Sequence, residues 1–386
     1  MDARTTELLF ALLRSAIDGK ALSEKEKNEY SPECLPTLLK IAAGQDVAHL
    51  VAWALKQNGL LTEADMAVEK YVMQAVFRYE KIQYELDCVT SALEKAQIPF
   101  LPLKGSVIRK FYPEAWMRTS CDIDVLVHRE DLDRAMACLM EELEYKEHRR
   151  ATHDVAFFSP SGVHVELHFD LVEEGRANRA REVLRLVWED ASLCEKSEYR
   201  YEMSDAFFYF YHLAHMAKHF EDGGCGVRPF LDLWILDRIE GADIQKRDVL
   251  LKKAELSKFT AAARDLSRVW FEGEEAGSIS LQMQAYLFHG GVYGSSENRV
   301  ALHQGRNGGR FGYLLSRVFV PYSKLKRYYP ILEKHRYLMP VMQVRRWFML
   351  LKPNVAKIAK SEMTANNSVD RKQAEQMHRF LDDIGL

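Results

Sequence analysis

One short run, Asp122–Val127, places two carboxylates in an otherwise apolar stretch with the sequence DIDVLV. Side chains of a β-strand alternate between its two faces, so Asp122 and Asp124 share one face and the apolar residues share the other. A later apolar stretch carries Glu166 in the same way. Three carboxylates on apolar strands repel one another, and hard divalent cations such as Mg²⁺ prefer such oxygen ligands. The pattern therefore predicts a sheet with a metal site on one face.

A turn with the sequence Leu-Lys-Gly-Ser lies upstream of the first carboxylate strand and opens a helix. Gly105 allows close approach of the backbone to a phosphate, and Ser106 adds a hydroxyl donor. Lys104 and Arg118 are candidates for neutralising the β- and γ-phosphates of a nucleotide. The alternatives are an ordinary helix-opening turn and simple surface cations. A phosphate-binding turn and a carboxylate trio together favour metal-assisted phosphoryl or nucleotidyl transfer.

In this order, the motifs resemble the signature of the DNA polymerase β-like nucleotidyltransferase superfamily. That signature is a Gly-Ser turn, an Asp-x-Asp strand and a third carboxylate on a later strand. Within the superfamily the chain is similar to a poorly characterised bacterial nucleotidyltransferase family, over roughly residues 99–236. The stretch between the turn and the Asp-x-Asp strand is longer than in most superfamily members. The resemblance rests on Leu103-Lys104-Gly105-Ser106, Arg118, Asp122-Ile123-Asp124, Val165-Glu166-Leu167-His168, His215-Met216-Ala217-Lys218-His219, Arg228 and Asp232.

The resemblance implies an activity and a role for each motif. The activity is transfer of a nucleoside monophosphate from an NTP to an acceptor hydroxyl, with release of pyrophosphate. Asp122 and Asp124 would hold the metal of the nucleotide, and Glu166 would complete a second metal site and help to deprotonate the acceptor. The metal would be Mg²⁺ or Mn²⁺. The implied nucleotide-binding residues are Lys104, Gly105, Ser106, Arg118, His215, Lys218 and His219.

Several histidines near these motifs have more than one interpretation. The alternation His164-Val165-Glu166-Leu167-His168 could suggest zinc, but zinc proteases place their histidines four residues apart on a helix. We therefore expect His168 to orient Glu166 or an acceptor. His212, His215 and His219 share one helix face, which is either a nucleotide-facing wall or a polar stripe packed beside the sheet.

Periodicity along the chain predicts an α+β fold, in which a small mixed sheet with helices on one side is flanked by helical regions. Strand, helix, strand, helix and hairpin patterns follow one another between residues 96 and 175. From Asn178 onward the chain is predicted to be helical, with breaks at Gly223-Gly224, Gly290-Gly291 and Gly308-Gly309. On the next helix Arg228 and Asp232 are four residues apart and are expected to pair with each other. The predicted regions are a helical 1–95, a nucleotidyltransferase core 96–175, a helical domain 176–298 and a basic, aromatic-rich helical segment 299–386.

Charge is strongly polarised towards the C-terminal segment. Between Arg299 and Lys360 there are fourteen Lys or Arg residues and a single acid, Glu333, so this stretch carries +13 in a chain whose net charge is −3. Nine aromatic residues that include Trp347 and Phe348 lie among these cations. The segment is expected either to dock on the acidic remainder of the chain or to contact an anionic membrane surface or carbohydrate. Nucleic acid is the least favoured partner.

Composition bounds the remaining possibilities. With 47% hydrophobic and 28% charged residues, the sequence is typical of a soluble globular protein. The six cysteines form no CxxC pair, which favours reduced thiols over disulfides or a zinc site. No signal peptide or apolar run of about 18 residues is present, so we expect a cytoplasmic protein or one attached peripherally to a membrane. The acceptor stays open among a small molecule, a polysaccharide precursor and a protein. A non-catalytic nucleotide-binding protein and a membrane-associated accessory protein of the same fold are the alternatives to an enzyme.

Overall fold

The computed structural model describes residues 3–62, 67–173, 179–288, 295–306, 309–349 and 353–386. The N-terminal part of the chain is helical, as predicted. Apolar residues at helical spacing give α1, α3, α4 and α5 one buried face each, and α5 is long enough to run along the sheet. The helices are α1 (Ala3–Asp18), α2 (Glu24–Asn28), α3 (Leu35–Gly44), α4 (Ala48–Gln57) and α5 (Glu69–Lys95).

A five-stranded mixed sheet follows and confirms the predicted α+β fold. Its strands are β1 (Phe100–Pro102), β2 (Asp122–Val127), β3 (Lys146–Arg150), β4 (Asp154–Phe158) and β5 (His164–His168). The spatial order is β1-β2-β5-β4-β3, in which β2 and β5 run parallel and the other neighbours run antiparallel. The parallel pair places Asp124 directly beside Glu166 in the sheet register.

The two faces of the sheet differ in polarity, as the period-two alternation predicts. One face packs its apolar residues, Ile123 and Val165 among them, against α5 and against α7 (Leu132–Ala137), which continues as a π-helical turn over Cys138–Glu142. The other face carries the carboxylates. The short helix α6 (Gly105–Ile108) connects β1 towards β2.

Two strand features differ from the sequence expectation. Strand β3 was not predicted, because its sequence KEHRR contains no apolar residue and all five residues are exposed. A two-stranded ribbon, β6 (Ser192–Leu193) and β7 (Tyr201–Glu202), interrupts the stretch predicted to be helical from Asn178 onward, a residue that itself lies outside the described ranges. The ribbon adjoins the sheet, since the backbone N–H of Phe100 donates to the carbonyl of Tyr199 at 2.9 Å.

A helical layer covers the polar side of the sheet, so helices lie on both sides of the sheet and not on one side as expected. It consists of α8 (Arg181–Leu184), α9 (Val187–Asp190), α10 (Asp205–Glu221), α11 (Arg228–Asp237), α12 (Ile244–Lys253), α13 (Ser257–Phe271) and α14 (Ser278–Phe288). Its apolar residues share one continuous core with those of α1 and α4, where Phe10 stacks on Trp270 with ring centroids 4.4 Å apart. The predicted break after α10 is present, and Gly223 has φ +114° at a point where a Cβ would lie 2.9 Å from the Ser295 carbonyl oxygen.

The C-terminal part consists of further short helices. They are α15 (Ser296–Arg306), α16 (Arg310–Val318), α17 (Tyr322–Tyr328), α18 (Ile331–Lys334), α19 (Met339–Met349), α20 (Pro353–Ser368) and α21 (Arg371–Ile384). Helix α21 returns to the helical layer, where Phe380 lies against Tyr286. The predicted loop residues Gly290, Gly291 and Gly308 lie outside the described ranges. In the part of the chain that the structure describes, no helix is long and apolar enough to cross a membrane.

Candidate active site

Two carboxylates and one imidazole meet where β2 and β5 run side by side. Asp124, Glu166 and His168 each offer one ligand atom, and these atoms all lie within 4.8 Å of one another. The Nε2 of His168 is 2.8 Å from Oδ1 of Asp124 and 3.3 Å from Oε2 of Glu166. His168 therefore contacts both carboxylates directly. Asp122 is not a member of this group, although it lies on the same strand face and on the wall of the adjoining cavity.

A strained turn brings Lys104 to this cluster. Its backbone has φ +45° and ψ −118°, a conformation that costs a non-glycine residue about 1–3 kcal/mol. The turn is anchored to β2, because the N–H of Leu103 donates to the Asp124 carbonyl at 2.9 Å. The Lys104 ammonium consequently lies 2.8 Å from Oδ1 of Asp124. The predicted phosphate ligand thus contacts a predicted metal ligand.

Electrostatics separates the two aspartates of β2. Burial raises the pKa of Asp124, but the Lys104 ammonium and the His168 hydrogen bond outweigh it and hold that pKa well below its usual range. Burial and the neighbouring Asp124 carboxylate instead raise the pKa of Asp122. The hydrogen bond from His168 lowers the pKa of Glu166. The cluster thus keeps Asp124 and Glu166 ionised. Burial and the nearby Asp124 carboxylate make Asp122 harder to ionise.

The predicted phosphate-binding turn is tightly packed. A Cβ on Gly105 would lie 3.0 Å from the Cβ of Ser120, and the Arg109 guanidinium joins the two segments by donating to the Gly105 carbonyl and the Ser120 hydroxyl. Gly105 lines the cavity, whereas Ser106 does not, and no described residue accepts or donates a hydrogen bond at its buried hydroxyl. Helix α6 has only four residues, so its helix dipole contributes little at the turn.

Helix α10 supplies another wall of the same cavity, which has a volume of about 390 Å³. His215, Lys218 and His219 line it, so the nucleotide-facing role stays a prediction. The Nε2 atoms of His215 and His219 are 3.2 Å apart. Burial, followed by the neighbouring His219, lowers the pKa of His215 well below its ordinary value, so the ring is neutral near pH 7.

Arg118 also lines the cavity, but its charge is already neutralised. Its guanidinium donates to both oxygens of Asp232 at 2.7 Å, and the Tyr112 hydroxyl donates to the same carboxylate. Arg228 pairs instead with Asp46 from the loop after α3. The expected pairing of Arg228 with Asp232 is therefore wrong, because in the folded chain each of them has an oppositely charged partner more than one hundred residues away.

The sequence pattern missed two further groups beside the cluster. The Arg149 guanidinium of β3 lies 2.8 Å from Oδ2 of Asp154 and 3.4 Å from Oε1 of Glu166. His153 lines the cavity, and its ring centroid is 5.8 Å from that of His168. Neither residue belongs to a recognisable motif. Arg149 could have been identified only through a prediction of the exposed strand β3.

The donor set fits a divalent cation. Carboxylate oxygens suit Mg²⁺ and Mn²⁺, and an imidazole nitrogen extends the range to metals such as Zn²⁺. Burial and then the neighbouring Asp124 carboxylate raise the pKa of Asp122, and a bound cation would oppose both effects by favouring the ionised carboxylate. Chemically, such a cluster with a bound cation, beside a cavity lined by Lys104 and Lys218, can bind a triphosphate and act on it.

The comparison with protein families agrees with this geometry. The sequence profile of a family described as an uncharacterised nucleotidyltransferase matches residues 32–272, which is more than half of the chain. The matched part contains the whole five-stranded sheet, the turn at Lys104 and the cavity-lining helix α10. Searches of curated proteins and of solved structures find no match.

Proposed function

The chain belongs to this nucleotidyltransferase family, and on that premise we propose that it transfers a nucleoside monophosphate from an NTP to an acceptor hydroxyl. In the reaction the acceptor oxygen forms a bond to the α-phosphorus, the bond from that phosphorus to the bridging oxygen breaks, and pyrophosphate leaves. The observation that carries the proposal is the convergence of Asp124, Glu166 and His168 beside a cavity that Lys104 and Lys218 line.

The sheet residues would hold the metal and take up the proton. We propose Asp124 and Glu166 as ligands of Mg²⁺ or Mn²⁺, with His168 beside them and Asp122 at the edge of the group. When bound, the ion supplies positive charge for the triphosphate and acidifies the acceptor hydroxyl. Glu166 faces the cavity and takes up the proton of the attacking hydroxyl. His168 holds the two carboxylates in position through its contacts to both.

The cavity walls would bind the nucleotide. Lys104 is the principal candidate for the β- and γ-phosphates, since its side chain is partly exposed and, among the described residues, its one ion pair is with Asp124. Arg118 contributes less than the motif suggests, because Asp232 neutralises it. The Gly105 backbone and the Ser106 hydroxyl stay candidates for phosphate contacts. We assign His215, Lys218 and His219 to contacts with the nucleotide or the acceptor.

The test is a transfer assay with radioactive nucleotides. Each ribonucleoside triphosphate, labelled at either the α- or the γ-phosphate, is incubated with the protein, Mg²⁺ or Mn²⁺ and a cell extract that supplies acceptors. The proposal predicts that α-label enters an acceptor and that γ-label is released in pyrophosphate. Glu166→Gln should abolish the transfer, whereas Asp133→Asn, which alters an exposed carboxylate of α7, should not. Incorporation of γ-label alone would instead indicate a phosphotransferase.

A further inference from the structure

The outward face of helix α16 is apolar. Phe311, Leu314 and Leu315 follow one another at spacings of three and one and are all exposed. They therefore form one stripe on the helix surface. Tyr313, on the opposite side, is buried against Val300 of α15. The helix thus packs on the protein through one side and presents a second apolar side to solvent.

Helix α19 repeats this arrangement. Val341, Val344 and Phe348 are exposed at spacings of three and four residues, and so they also share one face. Gln343 points inward, where its amide donates to the carbonyl of Val320. Half of the large apolar side chains that are exposed in the described residues, eleven of twenty-two, lie between residues 310 and 349. Such a concentration marks an interaction surface.

The two helices are fixed to each other. The indole N–H of Trp347 donates to the carbonyl of Val318 at the end of α16, at 2.9 Å. The rings of Phe319 and Trp347 make an edge contact with centroids 5.7 Å apart. Helices α17 and α18 fill the space before α19 with a small core of their own around Leu325 and Leu332. We call the exposed side chains of residues 310–349 the basic apolar surface.

The cations of this surface are mostly unpaired with acids. Residues 310–349 contain nine Lys or Arg and one acid, Glu333. Among the cations whose side chains the structure describes, two have a carboxylate within ion-pair distance, in the pairs Arg317–Glu362 and Lys326–Glu333. Arg336 and Arg345 lie over tyrosine rings instead. Docking onto the acidic remainder of the chain therefore does not account for the charge of this segment.

We propose that the basic apolar surface binds the face of an anionic lipid bilayer, with α16 and α19 lying in the interface plane. Acyl chains cover the exposed apolar stripes, and anionic headgroups pair with the cations. A second copy of the chain bound through the same face would bring two positively charged surfaces together. Nucleic acid would supply phosphates for the cations, but it has no apolar interior that could cover the exposed apolar side chains of α16 and α19. The proposal is independent of the transfer chemistry.

Vesicle sedimentation with the full chain tests the proposal. The protein is mixed with vesicles of phosphatidylcholine alone, or of phosphatidylcholine with phosphatidylglycerol, and the pelleted fraction is measured. We expect binding to the vesicles that contain phosphatidylglycerol. Salt should weaken it, because the Debye length falls from about 10 Å at 0.1 M to about 3 Å at 1 M.

Two matched pairs of variants separate charge from apolar contact. Lys334→Glu/Arg345→Glu should weaken vesicle binding by at least about 25-fold, since each cation near an anionic surface contributes a factor of about five. Lys252→Glu/Lys253→Glu makes the same charge change at exposed positions of α12 and should leave binding nearly intact. Phe311→Ser/Phe348→Ser should weaken the binding that survives high salt. Its control, Met73→Ser/Phe77→Ser, changes equally exposed residues of α5.

Three results would overturn the proposal. The first is equal binding to both kinds of vesicle or to neither. The second is that the control variants lose as much vesicle binding as their partners, while circular dichroism shows that all variants are folded. The third is a dimer in lipid-free ultracentrifugation that Phe311→Ser/Phe348→Ser dissociates, which would assign the face to a second copy of the chain.

Discussion

The cavity and the basic apolar surface both concentrate cations, but they use them differently. In the cavity, Lys104, Arg118 and Arg228 each contact one carboxylate at a fixed position, which is buried for the first two and half-buried for Arg228. On the surface, Lys334 and Arg345 are exposed and have no carboxylate partner among the described residues. In the cavity, each of these cations therefore interacts with one defined carboxylate. On the surface, the cations act together through their combined electrostatic field.

The difference follows from the surroundings. Away from water an ion pair is little screened, and removing one member leaves a charge that the protein cannot solvate. At the surface, water and salt screen each charge, so one cation matters little and several together matter more. Single substitutions in the cavity should therefore have large effects that salt hardly changes. Those on the surface should have small effects on stability.

The largest effect on stability is expected for Asp232→Asn. The change leaves the buried Arg118 guanidinium without its counter-charge, which should lower the free energy of unfolding by about 3–5 kcal/mol. The control is Asp265→Asn, which removes the exposed partner of Arg268 and should cost less than about 1 kcal/mol. Denaturant unfolding of both variants measures the difference. Equal losses would remove the distinction between the two regions.

A pH dependence of stability should follow from His49, which lies beside the buried cations. Burial lowers the pKa of His49 to about 4, and Arg228 and Arg78 act in the same direction. The unfolded chain takes up this proton below about pH 6.5, whereas the folded chain does so only near pH 4. Stability should therefore fall as the pH decreases from 6.5 to 4, by about 1.4 kcal/mol per pH unit at most.

The variant His49→Gln checks this assignment, because glutamine keeps an N–H donor for the Met117 carbonyl but does not titrate. Unfolding free energies measured at several pH values in this window should show a shallower slope for the variant. An unchanged slope would mean that other groups cause the acid sensitivity.

Lys104→Met should have an intermediate effect, on activity. If the ammonium binds the triphosphate, losing one charge-assisted hydrogen bond of about 1.5–3 kcal/mol lowers kcat/KM for the NTP by roughly 10–100-fold. Lys110→Met is the matched control, since Lys110 follows the same turn but is exposed and faces Glu202. Steady-state kinetics of both variants gives the comparison. A variant at Lys104 with wild-type kcat/KM would contradict its proposed role.

The smallest effect is expected for Lys334→Gln on the basic apolar surface. One exposed cation without a carboxylate partner should change the free energy of unfolding by less than about 0.5 kcal/mol. Unfolding at low and at high salt provides the measurement. A loss as large as that of Asp232→Asn would show that the surface cations are structural.

Local patterns predicted the part of the site that lies on the strands. The alternation in Asp122–Val127 gave that strand its observed bounds and placed Asp124 on the polar face with Glu166. Period-two alternation is a local property of the backbone and can be recognised in one sequence. It could not show that His168 contacts both carboxylates, because that depends on how the strands are paired.

Contacts between distant segments could not be predicted in the same way. Arg118 and Asp232 are 114 residues apart, so helical spacing suggested the wrong partner for Asp232. The positive φ of Lys104 is imposed by the anchored turn and is not a preference of lysine. The exposed strand β3 has no alternation of apolar residues. The contact of Arg149 with Glu166 could therefore not be predicted from the sequence.

The central claim, that Asp124 and Glu166, positioned by His168, hold a divalent cation for nucleotide chemistry, can be tested without knowing the acceptor. Free Mn²⁺ is titrated by electron paramagnetic resonance in the presence of the protein and a non-hydrolysable NTP analogue. The account predicts that the wild type binds Mn²⁺, that Glu166→Gln binds it at least about tenfold more weakly, and that Asp133→Asn binds it like the wild type. Mn²⁺ binding of wild-type strength by both Asp124→Asn and Glu166→Gln would contradict it.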